Sequence, residues 1–335
     1  MKNLGREISI GKGLKVLALE EGLDDYLRKE IGRILNCNWP VITVTKELSL
    51  KEKDLDRTFA REVNVFSPPG QGLIDLRLNM SLLGPVYLGQ ILELSPGQKD
   101  LLSLAFTIAD QRGLYLYDIK DLRSFLVYLG DKKDFFERSY GSISRAGLSA
   151  IIKKLVQLER DYGDIFTDPS LDLNDLEGDL YIFDLGFLGA RASLKSALAF
   201  WLVTESFELD RPLAIFIEDD LDLFKSLDKK IQADLLHLLN TKKLSLYLVY
   251  DRLKKVDRRL LDQADLVVTD QKPAGGKYEK PLDLDENYVF QLAREEINTS
   301  GLREKSARRE DRCSAYEMLM EREVEEEAKQ NNDKN

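Results

Sequence analysis

The period of the apolar positions changes along the chain, and these changes divide it into four parts. Up to about residue 80, short β-rich runs alternate with helical spacing. Leu14–Leu19 predicts a first strand, and apolar positions from Leu23 to Leu35 predict the helix that follows. Val41–Val44 predicts a strand opened by Pro40, where a missing N–H is tolerated. Val63–Phe66 predicts another, closed by Ser67-Pro68-Pro69-Gly70. Strand, helix and strand on short links are the pattern of a parallel sheet.

From residue 81 to 176 the spacing is helical and no strand is expected. After the Pro96-Gly97 start, Leu101, Leu102, Ala105, Phe106, Ile108 and Ala109 fall on one helical face. A second helix is predicted near Ile119–Leu129 and a third near Ile143–Arg160, and Asp168-Pro169 marks a turn. Strands return between residues 177 and 300, at Leu180–Leu185, Leu213–Ile217, Ser245–Tyr250 and Leu266–Thr269. Helices near 190–207, 228–239 and 258–263 separate them. Their near-continuous apolar runs suit central strands covered on both faces. Tyr288–Leu292 predicts an edge strand, and Lys272–Lys277 reads as a loop. Residues 301–335 read as a charged helix, with Ala315, Met318 and Leu319 as a docking stripe, and a disordered end. The expected fold is therefore α/β, with a mainly parallel sheet, an all-helical insertion and a C-terminal helical tail.

Composition narrows the chemistry. The 335 residues are 43% hydrophobic and 32% charged, which fits a globular chain with a sizeable core. No apolar run has the roughly 18 residues of a spanning helix, and the start is not of signal-peptide type. A cytoplasmic protein without membrane contact is expected. Cys37 and Cys313 lie far apart and outside any CxxC pattern, so neither a disulfide framework nor a zinc site is supported. The single histidine, His237, reads as a helix residue near the core edge, and no metal site is expected. A net charge of −10 argues against nonspecific nucleic-acid binding, which draws on phosphate neutralisation by Lys and Arg.

Several segments resemble one family. They are Leu92-Glu93-Leu94-Ser95-Pro96-Gly97-Gln98, Ala109–Leu114, Asp118–Arg123, Tyr140–Ser144, Phe200–Phe207 and Asp311–Leu319. In this order they resemble the bacterial HerA-like ATPases of the HerA/FtsK superfamily, over roughly residues 80–320. The resemblance implies a RecA-like P-loop NTPase core with a helical insertion. It also implies ATP hydrolysis coupled to DNA translocation, with ATP and Mg²⁺ as cofactors, by rings assembled around DNA. On this basis the parts become 1–80 and 177–300 as the two segments of the core, 81–176 as the insertion, and 301–335 as the tail.

The family's nucleotide chemistry needs a Walker A loop between the first strand and helix. Its glycines let backbone amides cradle phosphates, its Lys reaches the β/γ oxygens, and its Ser or Thr holds Mg²⁺. Here that stretch reads Leu19-Glu20-Glu21-Gly22-Leu23-Asp24-Asp25-Tyr26. It has one glycine and four carboxylates, and it lacks both the Lys and the hydroxyl. Asp24 and Asp25 suit a helix N-terminus as caps and as partners of its dipole, and they repel phosphate. Gly11-Lys12-Gly13, Gly141–Ser149 and Gly275-Gly276-Lys277 each lack the context of a phosphate loop.

The acidic pair after the strand Leu213–Ile217 is Glu218-Asp219, in reversed order from the Asp-Glu that the resemblance implies, with Asp220 and Asp222 close behind. Solvated acids at a strand end are the plainer reading, and weak metal binding the sharper one. Asp251 stands where the family has a polar sensor, and Leu266 where a subunit-bridging arginine is expected. The chain therefore reads as a degenerate member, a pseudo-ATPase for which no cofactor is expected. It is expected to self-associate, or to assemble with an intact HerA-like ATPase, as a structural or regulatory subunit. Two alternatives stay open. One is a DNA-binding scaffold using Arg252, Lys254, Lys255, Arg258 and Arg259, which otherwise read as a solvated helix face. The other is an active translocating ATPase with an unusual nucleotide site.

Overall fold

The computed structural model describes residues 13–45, 63–70, 74–168, 171–176, 178–209, 211–218, 223–241, 244–270 and 314–319. In chain order, β1 (Gly13–Ala18), α1 (Leu23–Asn36), β2 (Val41–Thr45) and β3 (Val63–Ser67) come first. They are followed by β4 (Ile74–Asp75) and five helices: α2 (Met80–Ile91), α3 (Pro96–Gln111), α4 (Ile119–Asp131), α5 (Lys133–Tyr140) and α6 (Arg145–Tyr162). Then come β5 (Leu180–Asp184), α7 (Ala192–Ser206), β6 (Leu213–Glu218), α8 (Leu223–Ser226) and α9 (Lys229–Thr241). β7 (Leu244–Tyr250), α10 (Arg258–Gln263) and β8 (Leu266–Thr269) close the sequence, and residues 315–319 form one further helical turn. These residues fall into two compact units. One holds the described residues up to 67 and from 172 to 270. The other holds those from 68 to 171 and from 314 to 319.

In the first unit seven strands lie in the order β3-β5-β2-β6-β7-β1-β8. Each adjacent pair among them is parallel. Parallel neighbours need crossover helices, which cover both faces of a sheet. The side chains agree. Leu17, Ile182, Phe216, Tyr247 and Val249 share one core with Ile31, Ile34 and Leu35 of α1. Their alternates along the strands, Val16, Tyr181, Ile215, Leu246 and Leu248, are equally buried. Strand interiors of this kind form because β-branched and aromatic residues pack well on a pleated surface. The structure is thus the α/β, RecA-like P-loop NTPase architecture expected from the sequence. β1 begins at Gly13 (φ +107), where a Cβ would stand 2.0 Å from Asp265 Oδ2, so only glycine fits.

The second unit is built on helices with side-chain caps. Asn79 accepts from the Leu82 amide at 2.7 Å, Asp118 from Asp121 at 2.8 Å and Ser144 from Gly147 at 3.0 Å. α2 and α5 were not among the expected helices, and each has a physical reason. α2 is broken at Gly84 (φ 69, ψ 170) and Pro85, so its periodicity is interrupted. α5 buries only Phe136, which leaves it no apolar stripe. β4 is too short to leave a strand signal.

The expected tail stripe is seen over 314–319. Ala315 and Leu319 are buried and Met318 half-buried. The Ala315 amide donates to the Tyr115 carbonyl and the Tyr316 amide to Asp121 Oδ1, both at 3.0 Å, and Lys120 Nζ lies 3.7 Å from the centre of the Tyr316 ring. His237 lies on α9 with its side chain exposed, not at the core edge. The edge strand expected at Tyr288–Leu292 lies outside the described residues. Among those described, no helix is long and apolar enough to cross a membrane.

Candidate nucleotide site

Open parallel sheets bind ligands beyond the carboxyl ends of their strands. At that end of β1, only Leu19-Glu20-Glu21-Gly22 connects the strand to α1. The GxxxxGK[ST] pattern needs roughly twice that length. Gly22 is left-handed (φ 68, ψ 17) and is the N-cap of α1, with no side-chain hydrogen bond made there. The N-cap position is thus held by Gly22 and not by an aspartate, while Asp24 and Asp25 fall in the first turn, where the expectation that acids suit the helix dipole stands. Glycine at this place turns the chain sharply enough to omit a longer loop. Glu20, Glu21 and Asp24 are exposed, and the side chain of Asp25 lies outside the described residues.

The amides of this turn already have an anionic partner. Glu20 and Glu21 N–H donate to Asp270 Oδ2 at 3.0 and 3.3 Å. Asp270 follows β8, which pairs with β1, so sheet order delivers its carboxylate to the turn. An anion at such amides is favourable, and here the chain supplies its own. Nothing in the local sequence signals this contact, because the partners are some 250 residues apart.

Other carboxylates at this edge are also engaged. Glu218, at the end of β6, accepts from the Thr45 hydroxyl at 2.9 Å. Asp219, Asp220 and Asp222 lie outside the described residues, so the predicted acidic pair is represented by Glu218 alone. Asp251, after β7, accepts from Lys255 Nζ at 2.9 Å, and Arg252 Nε stands 3.8 Å away. Leu266, by contrast, is half-buried at the start of β8, at the opposite edge of the sheet, where the neighbouring Asp265 carboxylate accepts from the Leu14 amide at 3.0 Å. Among the described residues no cluster of His, Cys, Asp and Glu is arranged to hold a metal.

A charged network lies under the same strand, nearer its amino end. Lys15 Nζ donates to Tyr247 Oη at 2.8 Å and Ser245 Oγ at 3.3 Å. Tyr247 donates to Glu30 Oε1 at 2.8 Å, and Arg33 grips both Glu30 oxygens at 2.6 and 2.8 Å. Lys15 is 5% exposed and Glu30 7%. Burial lowers the Lys15 pKa to about 8, against the opposing pull of Glu30. Burial alone would raise Glu30, but the bonds from Arg33 and Tyr247 hold it below the usual carboxylate range. Burial and the Glu30 charge push the Tyr247 phenol up. The sequence signal was a lysine in the middle of an apolar strand, with Glu30 and Arg33 one helical turn apart.

The five predicted basic residues do not share one helix face. Arg252 to Lys255 run through a turn and a 3₁₀ segment, and only Arg258 and Arg259 lie on α10. Three of the five have acidic partners: Arg252 and Lys255 meet Asp251, and Arg259 is held by both oxygens of Asp257. The Leu19 amide donates to the Tyr250 carbonyl, which places the acidic turn beside the start of this basic segment.

Strand order, crossover helices and the position of the turn define a P-loop NTPase-type core. The sequence from 41 to 263 matches the family described as Helicase HerA-like C-terminal, and the chain belongs to that family. The match begins after β1 and α1. Solved structures with a similar fold include VirB4 of Thermoanaerobacter pseudethanolicus, at 15% identity and TM-score 0.48, covering 76% of this chain and 74% of that one. The plasmid coupling protein TrwB in complex with ADP and Mg²⁺ is 15% identical at TM-score 0.48, covering 75% of this chain and 65% of that one. TrwB in complex with the GTP analogue GDPNP is 14% identical, with the same TM-score and coverage. No curated protein matches the chain.

Proposed function

We propose that this chain is a pseudo-ATPase, a HerA-like family member that serves as a non-hydrolysing structural or regulatory subunit. The observation that carries the reading is the four-residue turn after β1, whose Glu20 and Glu21 amides are occupied by Asp270. A triphosphate brought to this turn would compete with that carboxylate and face Glu20, Glu21 and Asp24. At an effective dielectric near 20, like unit charges about 4 Å apart cost about 4 kcal/mol. Each such approach therefore offsets much of what amide donors and a helix dipole can contribute. Glu218 is tied to Thr45, so the one acid of the predicted pair that lies among the described residues is itself engaged.

The subunit role follows from what the fold keeps once nucleotide chemistry is removed, namely its surfaces. The partners that suit it are further copies of this chain or an intact HerA-like ATPase. DNA binding gains little from the basic segment, since three of its cations are paired and an acidic turn adjoins it. The test is a MgATP titration with phosphate release followed in parallel. No saturable binding up to millimolar nucleotide, and no release above buffer, is the expected result. Micromolar binding with turnover overturns the proposal.

A further inference from the structure

Beneath α1, at the carboxyl ends of β2, β6 and β7, lies a cavity of about 20 Å³. Its polar lining is Asp24 and Arg28 from α1, Thr43 from β2 and Glu218 from β6. Thr43 is 5% exposed, and its Oγ1 has no hydrogen-bond partner among the described residues. Such a hydroxyl bears its full desolvation cost unless something enters to bond it. One water needs on the order of 10–15 Å³ and two to four polar partners. The cavity meets both needs, and it is far too small for a phosphate. Thr43 and Thr45 lie on one face of β2, and Thr45 anchors Glu218 Oε2 at 2.9 Å, fixing that carboxylate on the cavity wall.

We propose that this cavity is a binding site for one structural water, held between the Thr43 hydroxyl and the Glu218 carboxylate. The water satisfies the hydroxyl and donates to Glu218, while the Arg28 guanidinium on the same wall supplies a further donor. Glu218 then serves to join β2, β6 and α1 through a solvent molecule. The inference goes beyond the pseudo-ATPase reading and does not depend on it, because no nucleotide is involved.

Thr43→Val in the full chain tests this by sign. Valine keeps the shape and removes the hydroxyl. If a water is bound, it loses a partner, and the melting temperature falls by about 2–4 °C. If the hydroxyl is simply orphaned, its removal relieves a cost and the melting temperature rises, which overturns the proposal. A second measurement uses the wild-type chain alone and holds even if the variant fails to fold. Magnetisation transfer to the Thr43 methyl from a water resident for nanoseconds or longer is expected. Its absence also overturns the proposal.

Discussion

Lys15 brings a charge into a strand whose other residues are apolar, and its cost governs how stability responds to alkali. In the fold its pKa is about 8, against 10.5 when unfolded. Between those values the unfolded chain binds more protons, so stability rises with pH. The whole shift corresponds to on the order of 3 kcal/mol. Tyr247 acts in the opposite sense: its raised pKa means the unfolded chain loses that proton first, so stability falls again above about pH 10. Urea unfolding from pH 7 to 10 should show rising stability in the wild type and a nearly flat profile in Lys15→Met. An equal slope in the variant would remove Lys15 as the cause. Residue-scale reading of the sequence found this lysine's strand but not its partners. Burial is the main cause of its shift, and the charges that modify it, Glu30 and Arg33 of α1 and Asp265 just before β8, come near it only through packing.

At the scale of elements, the loop from α3 to α4 and the tail turn are joined by one carboxylate. Asp121, 2% exposed, accepts from the Tyr117 and Asp118 amides through Oδ2 and from Tyr316 through Oδ1. Burial raises its pKa and the Tyr316 amide pulls it back. Asp121→Ala leaves three amides without their acceptor, at about 1–3 kcal/mol for a buried donor. Hydrogen exchange over 316–319 should quicken in this variant while β1 and β7 keep their protection. Unchanged exchange in the tail would show that Ala315 and Leu319 hold it alone. Periodicity made most elements legible, and α10 and β8 were read to the residue. It failed for α2 and α5, where a Gly-Pro break and a single buried side chain leave no period to detect. It also mistook the basic segment for a helix face, since charge spacing alone does not distinguish a 3₁₀ turn from a helix.

For the whole molecule, the nucleotide-free reading has a consequence for assembly. A ligand that binds the folded chain stabilises it by mass action, about 2.7 kcal/mol at a hundredfold excess over its Kd. MgATP should therefore leave both the melting temperature and the native mass distribution of the full chain unchanged, whatever that mass is. A nucleotide-dependent rise in either would count against the subunit role proposed here.

The sequence by itself determined the α/β class, the order of most strands and helices, and the absence of a lysine and hydroxyl from the turn after β1. Those features are local, written in apolar spacing and in which residues are present. The tertiary structure decided what fills that turn and what holds its surroundings. Asp270 reaches the Glu20 and Glu21 amides because β8 pairs with β1. Glu218 is held by Thr45 because β2 lies beside β6. Sheet order is a long-range property, and a carboxylate aimed at an amide from the far end of the chain leaves no mark in local pattern.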